Sequence, residues 1–436
     1  MQDLADHPSV TAFLPHLRKL AAGRECYLVG GAIRDWLLNR ALADFDFATA
    51  FDPSELARNF ARSMHGHCFY LDEQRRQIRV VTNQDSLCLT FDFTPFRSAT
   101  LVDDLLLRDF TVNAMALALD GAWTAEKLID PAAGQQDLIA GILRIPSAAV
   151  LRSDPLRVVK GIRHAVELSL RIEPDTMLRM SQAVAGLSHV AVERIRHEMV
   201  RIISAPCETG RCFNLLMESG VGGFFWGERF SRSDGVLIRT QFRSLQFWKI
   251  LEKVAPDLSG LLDKPVEAGL TRRSLLQWVF TLEALSPDCA AETARDWRFS
   301  RQAVARIEAA GSVSTETWAD FERVPLQRRP LLLWAAQYGP DPIDLLLAMA
   351  FCLNITPMAS VEKILPPLAK ILGPGEADFQ VEDLVDGHYL RRQCGLEDGR
   401  EIGRVLRELR QAEIYGRITG RSEAEALALE LCDKKD

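Results

Sequence analysis

The chain has 436 residues, of which 47% are hydrophobic and 25% charged, and its formal net charge is −7. This composition excludes a disordered, collagen-like or disulfide-scaffold protein, and the length favours roughly three domains. The acidic balance excludes nucleic-acid binding through the whole surface, so any such contact needs a local basic patch. The absence of a ~18-residue apolar run and of a signal-peptide pattern predicts a cytoplasmic protein with no membrane partner.

The first third of the chain predicts an α+β domain. Short runs rich in β-branched and aromatic residues alternate with turns, and an apolar periodicity between the first two runs predicts a helix. The predicted strands are Cys26–Val29, Asp44–Ala48, His67–Leu71, Ile78–Thr82 and Leu87–Phe93, and the predicted helix is Ala32–Leu38. The strands predict one mixed, mostly antiparallel sheet. After residue 145 the strand pattern ends and the remaining segments predict helices.

Two aspartates in the second predicted strand are candidate metal ligands. Asp44 and Asp46 are two residues apart, so their side chains share one face of the strand while Phe45 and Phe47 point to the other. Mg²⁺ typically binds one or two protein carboxylates together with substrate phosphates. An Asp-x-Asp pair alone is more often a pair of solvated loop residues, so its surroundings decide the interpretation.

A Gly-Gly turn stands directly upstream of this pair. Gly30 and Gly31 join the first strand to a helix that carries Arg34, which brings backbone N–H groups and a guanidinium to one place. Glycine permits close approach of a phosphate to the backbone, although a plain strand-turn-helix junction has the same pattern. The segment is neither a Walker loop nor a dinucleotide fingerprint.

Three later segments carry further polar residues. Asp92 lies in an alternating strand, where a solvated outward position is the simpler interpretation. Arg108 could clamp a triphosphate, while Asp109 is equally suited to capping a helix. The helix that begins near Asp154 carries a band of charged side chains three residues apart, which also fits a solvated helix face: Asp154, Arg157, Lys160 and Arg163.

These segments together resemble the class II tRNA nucleotidyltransferase and bacterial poly(A) polymerase family. The matching segments occur in the family's order over about the first 200 residues: LVGGAIRD (28–35), DFDF (44–47), RDFTVNAMA (108–116), DPAAGQQDL (130–138), DPLRVVKGIR (154–163) and VERIRHEM (192–199). The resemblance implies a DNA polymerase beta-like nucleotidyltransferase head followed by an all-α neck, body and tail. The predicted boundaries are 1–145 for the head, 146–205 for the neck with its nucleotide-selecting helix, 206–325 for the body and 326–436 for the RNA-binding tail.

The resemblance also assigns roles to residues of this chain. It implies a two-metal phosphoryl transfer with Mg²⁺ as cofactor and CTP, ATP and the 3′ acceptor end of tRNA as partners. The implied catalytic residues are Asp44, Asp46 and Asp92, of which Asp44 and Asp46 bind the metal. The implied nucleotide-binding residues are Gly30, Gly31, Arg34, Arg108, Asp109, Asn113, Asp154, Arg157, Lys160 and Arg163.

An aspartate and an arginine suit the selection of C and A. A carboxylate accepts from the exocyclic amine of either base, and a guanidinium donates to the adjacent ring nitrogen, whereas uracil and guanine invert this pattern. The chain departs from the family at Ser153, where the usual residue is Glu, and at Lys160, which keeps the charge but not the bidentate geometry of Arg. The loss of Glu predicts looser base selection.

A shortened loop favours CC addition. Only Ser98 to Val102 separate Phe96-Arg97 from Asp103-Asp104, and in the family a short loop at this place is associated with enzymes that add CC and stop. Full CCA addition, A addition alone and poly(A) synthesis stay open. An alternative of another class is a catalytically silent RNA-binding protein on the same scaffold, which Ser153 motivates and the retained carboxylates oppose.

The candidate RNA-binding residues are arginines of the neck and the tail. Arginines with interleaved aromatic residues suit an RNA backbone and its exposed bases, although the tail arginines alternate with glutamates as on a solvated helix face. The predicted RNA contacts are Arg194, Arg196, Arg201, Arg404 and Arg407.

Overall fold

A computed structural model describes residues 3–84, 87–205, 210–233, 235–353 and 382–433. The chain divides into two compact units, one formed by Met1–Val190 with Leu215–Phe225 and the other by Ala191–Asn214 with Trp226–Asp436. The four domains expected from the sequence and their three boundaries stay predictions, and the boundary at 205/206 adjoins residues outside the described ranges. None of the described helices combines the length and apolar composition needed to cross a bilayer.

The first unit contains a six-stranded mixed sheet. Its strands lie in the order β3-β4-β5-β2-β1-β6, and β2 and β5 run parallel while the other neighbours are antiparallel. The bounds are β1 Cys26–Val29, β2 Asp44–Thr49, β3 His67–Asp72, β4 Gln77–Gln84, β5 Leu87–Pro95 and β6 Ala116–Ala118. The α+β fold and all five predicted strands are confirmed, with ends that differ by up to two residues, and the short β6 is an addition.

One face of this sheet is covered by an aromatic core. Phe45 and Phe91 stack with ring centroids 5.4 Å apart, and Phe13 and Phe60 meet Phe91 edge-on at 4.8 and 5.0 Å. Phe13 precedes the helix Leu14–Ala21, and Phe60 belongs to the helix Ser54–Ser63. Because this face is packed against helices, the opposite face of β2, β4 and β5 is the one left for chemistry.

Helices make up most of the described chain outside the six-stranded sheet. In chain order, the remaining ones up to residue 190 are Pro8–Thr11, Gly31–Leu37, Leu101–Leu106, Gly134–Ile139, Ala149–Ser153, Leu156–Glu167 and Pro174–Ala183. Those that follow are Val192–Ser204, Arg211–Glu218, Val221–Ser231, Val236–Val254, Ser259–Leu262, Arg272–Leu282, Cys289–Asp296, Arg301–Gly311, Thr315–Phe321, Arg328–Ala335, Pro342–Leu353, Gly387–Gln393, Gly399–Ile414 and Arg421–Asp433. Short 3-10 helices lie at Leu4–Asp6, Thr111–Asn113, Ala125–Lys127, Val184–His189 and Pro256–Leu258.

Four very short strands interrupt the helical part. Ile142–Leu143 pairs in parallel with Arg171–Ile172, and Pro265–Glu267 pairs with Leu270–Thr271. The expectation of helices alone after residue 145 is therefore correct for the long elements of the described residues and misses the three strands that lie beyond that residue. Two- and three-residue pairings leave no alternating pattern in a sequence, because alternation needs at least four residues to be recognised.

Candidate active site

The two carboxylates of β2 point away from the aromatic core. Asp44 and Asp46 are exposed, whereas Phe45 and Phe47 between and after them are each 1% exposed. This is the alternation of a half-buried strand. It confirms the predicted geometry, with both carboxylates on the open face of the sheet.

Asp92 joins this face through the strand pairing. In the parallel pair β2 and β5, Asp92 lies directly beside Asp46, so the two side chains project to the same side. Both oxygens of Asp92 accept from Arg79 on β4, with Nε and Nη2 each donating at 2.7 Å. Asp92 thus lies beside the two candidate metal ligands, and both of its oxygens are held by one arginine.

Gly30 closes the other side of Asp46. It has φ +80°, a conformation that favours glycine, and a Cβ at this position would lie 3.2 Å from both Asp46 Oδ2 and Arg108 Nη1. Val29, the residue before it, is paired with Asp46 across β1 and β2. The glycine turn, one carboxylate of the pair and an arginine therefore meet in one cleft, as the motifs predict.

The environment of Asp46 disfavours a bare negative charge. Desolvation by the protein around the cleft raises its pKa to about 6 although solvent still reaches the side chain, the neighbouring Asp92 and Asp44 add to this rise, and Arg108 opposes it. Like charges at close range favour protonation or a bound cation. Asp46 is therefore suited to bind a positive ion.

Arg108 is held in the cleft by a buried carboxylate. Its Nη2 donates to Asp104 Oδ2 at 3.3 Å, and Asp104 Oδ1 accepts from the backbone N–H and Nε of Arg97 at 2.9 and 3.2 Å. Arg108 Nε is buried and has no hydrogen-bond partner within the described ranges. A buried donor without a partner is costly, so this guanidinium is prepared for an anionic ligand.

A second network lies on the helix side of the glycine turn. Arg34 Nη1 donates to Asn113 Oδ1 at 2.8 Å, and Asn113 Nδ2 donates to Asp109 Oδ1 at 3.0 Å. Arg34 also donates twice to Asp35, at 2.7 and 3.0 Å. The three predicted nucleotide-binding residues of this group therefore fix one another's orientation.

The helix Leu156–Glu167 brings cations to this network. Desolvation opposes the ionisation of Asp109, but His164, Asn113, Lys160 and Arg157 outweigh it and lower the pKa of Asp109 to about 2. Asp109 is consequently a carboxylate at neutral pH. Lys160 and Arg157 of the helix Leu156–Glu167 are thus close enough to Asp109 to stabilise its negative charge.

The start of this helix shows how Ser153 replaces the family's Glu. Arg157 Nη1 donates to the carbonyl of Val150 at 3.0 Å and to Ser153 Oγ at 3.3 Å, and Asp154 Oδ1 accepts from the backbone N–H of Leu156 at 3.2 Å. Ser153 therefore touches Arg157 but offers a neutral, longer hydrogen bond where a carboxylate would offer a charged one. Asp154 therefore contributes to the helix start, three residues before Arg157.

Other predicted binding residues have contacts within the protein. Arg163 is buried, and its Nη1 donates to Glu167 at 2.8 Å. Arg196 donates to the carbonyl of Arg298 at 2.6 Å and lies 5.0 Å from the Phe299 ring centroid. Arg404 is exposed and pairs with Glu408 at 2.9 Å. The other predicted RNA contacts with exposed side chains are Arg194, Arg201 and Arg407. The roles of all these residues stay predictions.

The residues of the cleft fit a hard divalent cation that a substrate helps to bind. In the described part of the chain, no three His, Cys, Asp or Glu side chains converge closely enough to hold a metal alone. Asp44 and Asp46 supply carboxylate oxygens. Beside them, Arg108 has a buried Nε without a hydrogen-bond partner among the described residues, so its guanidinium can bind an anion. This donor set matches the preference of Mg²⁺ for one or two carboxylates completed by phosphate oxygens and water.

Two residues that shape the cleft were not predicted. Arg79 lies in the run Ile78–Thr82, where its alternation with buried neighbours indicates an outward side chain but not its partner. Asp104 is 2% exposed in the helix Leu101–Leu106, and a buried acid is a signal of an ion pair, but the sequence does not distinguish it from its exposed neighbour Asp103. Both partnerships depend on strand and helix contacts that spacing does not reveal.

Known proteins are similar to this chain in sequence and in fold. The Poly A polymerase head domain matches residues 26–144, and the probable RNA and SrmB-binding site of polymerase A matches residues 169–225. The CC-adding tRNA nucleotidyltransferase of Geobacter sulfurreducens is 28% identical, with 95% of each chain covered. The A-adding tRNA nucleotidyltransferase of Deinococcus radiodurans is 29% identical over 92% of this chain and 94% of its own.

A solved structure supports the same fold. The Bacillus stearothermophilus CCA-adding enzyme in complex with CTP superposes with a TM-score of 0.70 at 21% identity, covering 97% of this chain and 98% of that one. The recognition made from the motifs is thereby confirmed. The chain carries a Poly A polymerase head domain and the probable RNA and SrmB-binding site of polymerase A, and over nearly its whole length it is similar to CC-adding and A-adding tRNA nucleotidyltransferases.

Proposed function

We propose that the protein is a template-independent RNA nucleotidyltransferase that adds CC to the 3′ end of tRNA from CTP and releases pyrophosphate. The observation that carries the proposal is the cleft in which Gly30, Asp46 and Arg108 meet, with Asp92 in register beside Asp46. Metal-binding carboxylates next to an arginine without a full set of partners serve phosphoryl transfer and have no use in a passive RNA-binding protein. The proposed place of action is the cytoplasm, where tRNA, CTP and ATP occur together.

We propose Mg²⁺ as the ion bound by Asp44 and Asp46. Bound there, Mg²⁺ lowers the pKa of the RNA 3′-hydroxyl and stabilises negative charge on the pyrophosphate leaving group. The protein's own groups do the rest by positioning. Arg108 donates to the triphosphate, and the glycine at position 30 keeps the cleft free of a Cβ that would meet Asp46 and Arg108.

Base selection is the proposed role of the helix Leu156–Glu167. Asp154 accepts from the exocyclic amine of cytosine or adenine, and Arg157 donates to the ring nitrogen beside it. Arg34, Asp109 and Asn113 form the rigid frame against which the nucleotide lies. With Ser153 in place of Glu, Arg157 is oriented less strongly, so we expect some incorporation of UTP at high concentration.

The loop next to the cleft supports CC addition over full CCA addition. Thr100 caps the helix Leu101–Leu106 by accepting from Asp103 N, so the helix begins inside the segment expected to be loop. Arg97, at the loop's other end, is bonded to Asp104 of the same helix. A segment this short and this tightly bonded has little freedom to reshape the pocket for ATP, which is the role of the long loop in relatives that add A.

Single-nucleotide incorporation separates the alternatives. The purified protein is incubated with Mg²⁺ and radiolabelled CTP or ATP on two tRNAs, one lacking CCA and one ending in CC. We expect two C residues on the first tRNA and no A on the second. A single A on the tRNA that ends in CC would replace CC addition by A or CCA addition, a long A tract would indicate poly(A) synthesis, and no incorporation of either nucleotide would favour the silent RNA-binding protein.

A further inference from the structure

The strand register extends the row of site residues across the open face to the sheet edge. Asp46 lies beside Asp92, Asp92 is paired with Arg79, and Arg79 is paired with Phe69 of β3. Paired residues of neighbouring strands project to the same face. At ~4.8 Å between strands, Phe69 therefore lies about 14 Å from Asp46 along one row.

Phe69 is an exposed aromatic side chain at the end of this row. It is 47% exposed on an edge strand, and the side chain of Arg79 next to it is 37% exposed. A single exposed apolar residue needs no explanation on its own. The alignment of Phe69 with Arg79 and with the carboxylates of Asp92 and Asp46, however, requires an explanation.

We infer that Phe69 and Arg79 form the platform that receives the 3′-terminal nucleotides of the RNA, an inference that rests on the proposed function. On the β1 side of Asp46 lie Gly30 and Arg108, which in the proposed function serve the incoming nucleotide. The RNA 3′-hydroxyl must reach Asp46 from the other side, which is the side of β5, β4 and β3. The open face in that direction carries Arg79 and Phe69.

The chemistry of the two side chains suits single-stranded RNA. An exposed aromatic ring stacks with any base, and an adjacent arginine attracts the phosphate backbone. Arg79 uses Nε and Nη2 for Asp92, and its Nη1 carries two further N–H groups that can donate to a phosphate. The same guanidinium can thus connect the incoming RNA strand to the carboxylate beside Asp46.

The neighbouring Tyr70 provides a matched control. It is 38% exposed on the same strand, but it is paired with the buried Ile78 and therefore lies on the opposite face. Its hydroxyl group donates to Ser54 Oγ at 3.1 Å and accepts from Arg58 at 3.2 Å. Phe69→Ala and Tyr70→Ala each remove one exposed aromatic ring, but only Phe69→Ala removes a ring from the face that carries Arg79, Asp92 and Asp46.

Steady-state CTP incorporation into tRNA lacking CCA tests the platform. For Phe69→Ala we expect the KM for tRNA to rise ~5- to 100-fold, the range that loss of one stacked base implies, with kcat and the KM for CTP unchanged within about twofold. Phe69→Trp should restore the KM for tRNA, and Tyr70→Ala should leave it unchanged. An unchanged KM in Phe69→Ala, or an equal rise in Tyr70→Ala, would overturn the inference.

A measurement without turnover separates this inference from the proposed function. An RNA with 4-thiouridine as its 3′-terminal nucleotide is irradiated with the wild-type protein, and the adducts are mapped by mass spectrometry. We expect an adduct on the peptide that contains Phe69, and adducts confined to other parts of the chain would contradict the platform. A protein that incorporates no nucleotide yet forms this adduct would refute the enzymatic proposal and leave the platform standing.

Discussion

Aspartates and arginines gather in two regions of this molecule, with opposite consequences. On the open face of the head sheet, Asp44 and Asp46 are exposed, and the pKa of Asp46 is raised to about 6. In the helical unit, Asp344 is fully buried and accepts from Arg306 Nε at 2.5 Å, Arg306 Nη2 at 3.0 Å and Arg272 Nε at 3.0 Å. Among the described residues, no hydrogen bond or ion pair neutralises Asp44 or Asp46, whereas Asp344 accepts from two arginines.

The helical cluster joins elements that are distant in sequence. Arg272, Arg306 and Asp344 belong to the helices Arg272–Leu282, Arg301–Gly311 and Pro342–Leu353, and Asp341 completes the cluster by pairing with both arginines. Such a cluster has no charge left for a ligand. The comparison teaches that residue type does not distinguish a reactive site from a structural one, but the state of its hydrogen bonds and charges does.

The largest effect that tests this contrast is expected for Asp46→Ala. Removal of one metal carboxylate should lower Mg²⁺-dependent CTP incorporation by at least ~1,000-fold, which corresponds to about 4 kcal/mol of lost transition-state stabilisation. Affinity for tRNA should be nearly unchanged, and thermal stability should not fall, because the variant relieves repulsion with Asp44 and Asp92. Incorporation at the wild-type rate would remove Asp46 from the active site.

Asp344→Ala should act on stability instead. Removal of one partner from a buried ion-pair cluster leaves uncompensated charge and costs about 3–5 kcal/mol, measured by urea unfolding. The matched control is Asp383→Ala, which removes the exposed partner of Arg410 and should change the free energy of unfolding by less than ~1 kcal/mol. If Asp344→Ala does not fold, the free energy of unfolding is measured on Asp344→Asn instead. Equal costs for Asp344→Ala and Asp383→Ala would contradict the structural assignment.

Asp104→Asn is expected to have a smaller and more selective effect. The amide still fills the space but no longer offers a charged acceptor to Arg97 and Arg108, so Arg108 should be positioned less well. Loss of a charge-assisted hydrogen bond of ~1.5 kcal/mol predicts a rise of about tenfold in the KM for CTP, with the KM for tRNA unchanged and partial recovery in Asp104→Glu. A change confined to thermal stability would make Asp104 a purely structural residue.

The smallest predicted effect concerns base selection. Ser153→Glu should place a carboxylate within reach of Arg157, where Ser153 Oγ now accepts at 3.3 Å. A charge-assisted bond orients the guanidinium more firmly, so we expect the ratio of kcat/KM for CTP to that for UTP to rise ~3- to 10-fold. Ser153→Ala is the control and should lower this ratio slightly. An unchanged ratio in both variants would show that position 153 does not influence selection.

Local patterns predicted much of the head. Alternation in β2 fixed the faces of Asp44 and Asp46, because the side-chain period of a strand does not depend on its partners. The turn at Gly30 was predicted because this residue stands between a strand and a helix, and its positive φ agrees with a turn. The order of the motifs then identified the family, although the motifs do not state which strand lies beside which.

The partners of these residues could not be predicted from spacing. Asp46 and Asp92 are neighbours only because β2 and β5 pair in parallel across 46 residues of sequence, and Arg79 reaches Asp92 only because β4 pairs with β5. Arg163 is buried and bonded to Glu167, a contact that its position in the charged band did not reveal, and its role in nucleotide binding stays a prediction. Helical periodicity shows which residues share a face and not what covers that face.

The most direct test of the central claim is cation binding at the paired carboxylates in the presence of a nucleotide. Binding of Mn²⁺ to the wild-type protein and to Asp46→Ala can be followed by electron paramagnetic resonance, with and without a non-hydrolysable CTP analogue. The account predicts that the analogue strengthens Mn²⁺ binding in the wild-type protein and that Asp46→Ala abolishes this effect while the protein stays folded. Equal, analogue-dependent binding in both proteins would contradict the claim that Asp46 holds the metal beside the nucleotide.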